Sequence, residues 1–149
     1  MPRPTQHSDG RLPAAFTHLS GRSVLGADQL AQPRSILERF ANPRPGRPYQ
    51  VKFVFPEFTS LCPVTGQPDF ATITVAYIPG RWCVEMKSLK LYFFAYRNKG
   101  IFYEAVVNTI LDDLVAILKP RQMTVTGEFA VRGGTAGTIT ASHGRAVKG

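Results

Sequence analysis

Tyr49, Val51, Phe53 and Phe55 alternate with Gln50 and Lys52, the two-residue period of a half-buried strand. A second strand is expected over Phe70–Ile78 (FATITVAYI), rich in β-branched and aromatic residues and ended by the turn dipeptide Pro79-Gly80. The period then changes. Leu89, Tyr92, Phe93 and Tyr96 recur at helical spacing up to Asn98-Lys99-Gly100, where glycine offers a C-terminal stop. Phe102, Val106, Ile110, Leu114 and Ile117 mark a longer helix closed by Pro120. Two further strands are expected at Gln122–Phe129 and Gly137–Ser142, linked through Arg132-Gly133-Gly134. The expected order is ββααββ: an α+β unit with an antiparallel sheet and two helices on one face.

Residues 1–48 read differently. They hold seven of the twelve prolines, no lysine, scattered apolar residues such as Phe16 and Leu19, and one short helical stretch at Ser35–Phe40. We take 1–48 as a Pro/Arg-rich N-terminal extension and 49–149 as the folded domain. A four-stranded sheet has two open edges, and closing several sheets into a shared barrel would remove them, so a homo-oligomer is expected.

Composition narrows the classes. With 149 residues and 44% hydrophobic content, the chain can own a real core. No apolar run is long enough for a membrane span, and the start lacks the apolar run of a secretory signal, so a cytoplasmic location is expected. The net charge of +8 is evenly spread. Seven Arg oppose three acids in the extension, and eleven Lys or Arg oppose seven acids in the domain, +4 in each. Such a spread fits a phosphorylated small molecule better than a nucleic-acid duplex. Two cysteines without a CxxC pair fit neither a disulfide scaffold nor a zinc site, and no metal is expected.

The connection from Pro56 to Asp69 spans fourteen residues between two expected strands, where a hairpin needs about 2–5. It holds Glu57, Cys62 and Asp69 in a backbone stiffened by Pro56, Pro63 and Pro68. A thiolate is a nucleophile, and a nearby carboxylic acid can protonate whatever atom that nucleophile makes basic. A buried structural cysteine and a turn-forming aspartate are the ordinary alternatives.

Three segments carry a resemblance: EFTSLCPVTGQPD at Glu57–Asp69, EMKSLKLY at Glu85–Tyr92, and YRNKGIFYE at Tyr96–Glu104. Together they resemble the NADPH-dependent 7-cyano-7-deazaguanine reductases, nitrile reductases of queuosine biosynthesis, in their short single-module form. The resemblance covers roughly Tyr49 to Ser142. It implies the tunnelling fold (T-fold), in which ββααββ subunits form ring-shaped barrels that pair face to face. The corresponding assembly is a decamer of two pentameric rings with sites at subunit interfaces. It also implies roles. Cys62 falls on the nucleophile that forms a covalent thioimide, and Asp69 on the acid that protonates nitrogen. Val84, Glu85, Met86, Tyr103 and Glu104 fall on positions that contact the deazapurine. Met86, Lys87, Arg132 and Gly133 fall on those that contact NADPH. A dinucleotide site here would not be Rossmann-like, because no GxGxxG turn follows a strand.

Two positions depart from the family's usual pattern. Tyr103 stands where His is most common, and Met86 where Ser is common. Three rival readings have less support. An amidinotransferase of the same fold would lack the cofactor motif. A zinc-dependent purine or pterin enzyme would need a Cys/His ligand set that His7, His18 and His143 do not supply. An RNA-binding module would need aromatic residues and basic residues interleaved on one surface, and FFAYRNK offers only a weak version. Cys83 is expected to be a packed thiol at a strand end.

Overall fold

The structure, a computed structural model, describes residues 25–145 of the chain. The apolar residues Phe16 and Leu19 and the histidines His7 and His18 lie outside the described residues. A short helix α1 (Ala27–Ala31) and a 3-10 turn (Pro33–Ile36) precede strands β1 (Arg39–Ala41), β2 (Val51–Leu61), β3 (Pro68–Ile78) and β4 (Trp82–Val84). Helices α2 (Met86–Phe94) and α3 (Tyr103–Leu118) follow, then β5 (Gln122–Arg132) and β6 (Thr135–His143).

The main sheet is antiparallel with order β2-β3-β5-β6, matching the expected strands. Alternation sets its faces. Ile73, Val75 and Tyr77 of β3 and Met123, Val125 and Phe129 of β5 point to the core, where α3 covers them with Val106, Val107, Ile110 and Leu114. Gly127 lets the helix approach, since a Cβ there would lie 2.8 Å from Val107 Cγ2 and 2.9 Å from Phe129 Cε2. Helix α3 ends where Lys119 takes a left-handed φ of 47° and donates its N–H to the Val115 carbonyl, immediately before Pro120.

Three expectations change. The strand expected to end near Phe55 continues to Leu61 through a bulge between Phe55 and Phe58, and β3 begins at Pro68. The long connection therefore shrinks to the turn Cys62–Gln67. The edge position of β2 explains the error: Pro56 lacks a donor, but an edge strand leaves half its donors unpaired anyway. The helical stretch expected at Ser35–Phe40 is instead a 3-10 turn opened by Pro33, after which Arg39–Ala41 extends and pairs with β4. Finally, the described part of the segment before Pro48 reaches the core. Ile36 and Leu37 are buried, and Arg34 Nε donates to Asp113 Oδ1 at 2.9 Å.

Candidate active site

The turn after β2 is held by backbone bonds. Cys62 N–H donates to the Gln67 carbonyl and Gly66 N–H to the Cys62 carbonyl, both at 2.8 Å, with Gly66 at a left-handed φ of 70°. Leu61 bonds both ways with the link between α2 and α3, donating to the Lys99 carbonyl at 3.0 Å and accepting from Ile101 N–H at 3.1 Å. These two bonds bring the first turn of α3 beside the thiol.

The outcome is a cavity of about 140 Å³ lined by Cys62, Pro63, Asp69, Ile101, Phe102, Tyr103, Glu104 and Arg132. A second cavity, of about 380 Å³, shares Asp69, Tyr103 and Arg132 and extends past Phe70 and Val131. Cys62 is half-buried. Its thiol lies below the ordinary range because the Thr65 hydroxyl hydrogen-bonds to it, aided by the backbone N–H groups of Thr65 and Val64 and by the charge of Arg132. Such a thiol holds its nucleophilic form to lower pH.

Asp69 is 5% exposed. Its Oδ1 accepts from Tyr103 Oη at 3.1 Å and from Arg132 Nη1 at 2.5 Å. The Tyr103 ring stacks on Phe129 at 3.7 Å between centroids and 11° between planes. Burial, then the bond to Asp69, raises the phenol above its usual value, so it remains a donor. The other guanidinium nitrogen of Arg132 donates to Thr65 Oγ1 at 2.9 Å and to Gln67 Oε1. One side chain from β5 thus ties the acid to the thiol's turn, and its bond to Asp69 raises its own proton affinity further. Gly133 follows at a left-handed φ of 58° with open space around it.

The remaining sequence candidates lie elsewhere in the chain. Val84 is 2% exposed, and its N–H donates to Tyr77 Oη at 3.0 Å. Glu85 caps α2, accepting from Lys87 N–H at 2.9 Å and Ser88 N–H at 2.7 Å. Met86 and Lys87 are exposed on the first turn. Met86 lines a small separate cavity with Phe53, Val54 and Phe55. From Phe55 to Cys62 the strand runs on the order of 20 Å at its usual rise per residue. The Glu85 group and the Cys62 group therefore sit apart within the chain.

Thr65, Gln67 and Phe129 escaped the sequence reading. The Phe129 position follows from strand alternation, but the reach of Arg132 to Thr65 and Gln67 depends on the closing of the sheet. Cys83 is buried as expected, with its sulfur 3.7 Å from Tyr49 Oη.

An α+β fold with an antiparallel sheet, holding a thiol and a carboxylate on one cavity, defines the class. The family model described as QueF-like protein matches residues 68–148. The NADPH-dependent 7-cyano-7-deazaguanine reductase of Anaeromyxobacter sp. (strain K) is 58% identical over 113 residues, covering 76% of this chain and 93% of that protein. The protein of the same name from Thermomicrobium roseum is 54% identical over 118 residues, 79% of this chain and 92% of its own. That from Chlorobium phaeovibrioides is 59% identical over 110 residues, 74% and 95% respectively. The chain belongs to the family of NADPH-dependent 7-cyano-7-deazaguanine reductases. Its fold is similar to the apo crystal structure of an archaeosine synthase described as QueF-Like, with a TM-score of 0.58 at 22% identity, over 67% of this chain and 96% of that one.

Proposed function

We propose that this protein reduces the nitrile of 7-cyano-7-deazaguanine to the aminomethyl group with NADPH, a step toward queuosine in tRNA, through a thioimide on Cys62. The observation that carries this reading is the meeting of Cys62 and Asp69 on one cavity. Cys62 Sγ adds to the nitrile carbon. As the C–S bond forms, an electron pair moves to nitrogen, and Asp69 supplies the proton that neutralises it. NADPH, when bound, would supply a hydride to the thioimide carbon; after the thiol departs, a second NADPH would supply the hydride, and solvent the proton, that complete the aminomethyl group. Cys62 leaves as thiolate between these steps, which its lowered proton affinity favours. Glu104, exposed in the first turn of α3, offers its carboxylate to the amide and amino donors of the base.

The residues assigned to the cofactor suit a phosphorylated dinucleotide. Lys87 is exposed at the start of α2, and Arg132 leads into Gly133 and Gly134, where a Cβ would meet nothing within 4 Å. A 2′-phosphate would be held by those basic side chains, and Met86 would contact the dinucleotide nearby.

Assembly completes the site in this reading. Residues 49–149 form a T-fold unit with 1–48 as an N-terminal extension, and the units close into the barrels of a decamer. Glu85, with Val84 and Met86, then reaches the deazapurine of a neighbouring subunit. Two observations support this. The Glu85 and Cys62 groups are separated within one chain. Val54 of the edge strand β2 is 55% exposed, and Phe70, Phe102 and Val131 around the Asp69 cavities are 57%, 57% and 70% exposed. Among the described residues, no helix is long and apolar enough to cross a membrane.

Anaerobic mixing with 7-cyano-7-deazaguanine, followed by intact-protein mass measurement, tests the proposal. We expect a one-to-one adduct that Cys62→Ala abolishes and Cys83→Ala retains. Equal loss in both variants, or no adduct in the parent, would sink it.

A further inference from the structure

Ser60 is fully enclosed, at 0% exposure. Among the described residues, its Oγ is the buried side-chain polar atom without a hydrogen-bond partner. Native proteins rarely leave such a group unmatched, because its lost hydration is not returned. A hydroxyl retained there points to a partner in another state of the site.

The register names that partner. Ser60 is paired with Asp69 across β2 and β3, and both side chains lie on the buried face. Directly opposed residues have Cβ atoms about 4.5–5.5 Å apart, a separation that a hydroxyl and a carboxylate turned toward each other can span. Both side-chain bonds that Asp69 accepts, from Tyr103 and Arg132, end on Oδ1, which leaves Oδ2. The titratable and charged groups around this carboxylate are Tyr103 and Glu104 of α3, Arg132 of β5 and Cys62 of the turn.

We propose that Ser60 is a positioning residue for the reaction, bonding Asp69 Oδ2 during turnover and reversing the direction of that bond as the acid gives up its proton. The inference rests on the reading of Asp69 as the proton donor. Before transfer, an O–H on Asp69 Oδ2 rests on an acceptor, from which it turns to the substrate nitrogen. Arg132 cannot accept, because guanidinium is a donor only, whereas a hydroxyl can do either. After transfer the carboxylate needs a donor, and Ser60 turns to supply one. Its own O–H bond is never broken, and the proton that moves passes from Asp69 to the substrate nitrogen.

This predicts an unusual pairing of effects. Ser60→Ala removes an unmatched polar atom from the resting protein, so its thermal midpoint should equal or exceed the parent's. Its turnover should nevertheless fall by roughly ten- to 150-fold, the worth of one hydrogen bond to a charged group. The pH profile of turnover should shift while the KM for NADPH stays unchanged. Ser60→Cys, similar in volume and a weak hydrogen-bonder, should behave like Ala, and Ser60→Thr should restore most of the rate. The test compares the four proteins by thermal melting, pH-dependent kinetics and adduct mass. Parent turnover and pH profile retained in Ser60→Ala would overturn the inference while leaving the nitrile-reductase reading intact. Failure of both Ala and Cys variants to fold, or rate loss in proportion to stability without recovery in Thr, would assign Ser60 to the framework and also overturn it. A parent inactive on the nitrile would overturn the underlying reading first.

Discussion

Arg132 and Asp69 form an ion pair, Nη1 to Oδ1 at 2.5 Å, that joins the end of β5 to the start of β3. The same guanidinium reaches Thr65 and Gln67, so it braces the turn that carries Cys62. A residue assigned by resemblance to the cofactor is thereby also part of the surroundings of Asp69.

Arg132→Ala and Lys87→Ala should therefore differ. Each should weaken NADPH more than NADH, by about ten- to 150-fold for a lost charge-assisted contact. Only Arg132→Ala should also slow adduct formation, because only Arg132 touches Asp69 and the thiol's turn. Steady-state kinetics with each cofactor, beside timed adduct mass, separates the two. Equal adduct rates in both variants would show that the bracing has no part in nucleophilic addition.

The thiol makes a prediction about pH. Hydrogen bonding from Thr65 comes first among the causes that lower Cys62. A depressed value means the thiolate persists as pH falls, until the folded-state value is crossed. Alkylation of Cys62 by iodoacetamide should therefore have its midpoint below that of an ordinary thiol. Thr65→Ala should move the midpoint upward, and the two rates should converge at high pH, where both are thiolate. Overlapping profiles would mean that Thr65 does not tune the thiol.

How much of this was legible in sequence depended on length and partners. The strands at Phe70–Ile78 and Gln122–Phe129 and the helix from Phe102 to Ile117 announced themselves because each repeats its period several times. Three-residue β1 and β4 are too short to show a period and exist through each other. The bulge after Phe55 shifts the alternation of β2 by one residue, which hid its second half inside what read as a loop. Cys62 and Asp69 were legible as candidates, yet the opposition of Ser60 and Asp69 depends on that hidden half. Likewise, Arg132 read as a phosphate ligand because sequence shows a charge but not what stands across the sheet.

Gly127 links the packing to the site. A Cβ there would meet Val107, Phe129 and Ile73 at 2.8, 2.9 and 3.3 Å, and Phe129 is the ring under Tyr103. Gly127→Ala should destabilise by about 1–3 kcal/mol, the usual cost of overpacking, and disturb Tyr103 as well. Gly133→Ala meets no atom within 4 Å, only a left-handed φ, so about 1–2 kcal/mol is expected there from backbone strain. Urea unfolding with Tyr103-dependent turnover measured in parallel checks both. A Gly127→Ala variant with unchanged stability and rate would mean that α3 and Phe129 can shift without cost.

Tyr103 performs two tasks that substitution can separate, the stack on Phe129 and the bond to Asp69. Tyr103→Phe keeps the ring and removes the hydroxyl. Stability should change little, whereas turnover should fall by roughly ten- to 150-fold if the bond serves a charged Asp69. Tyr103→His introduces the residue common in the family and should retain much of the rate, but with a new dependence on pH. The parent phenol is raised above its usual value and stays protonated through neutral pH, so it contributes no titration there. Imidazole titrates near an unperturbed value of about 6.5. Below that value it carries a positive charge beside Asp69, in addition to that of Arg132. The pH profile of turnover in Tyr103→His should therefore gain a limb near neutrality that both the parent and Tyr103→Phe lack. Parallel profiles in all three proteins would show that this side chain does not act on the proton transfer proposed for Asp69.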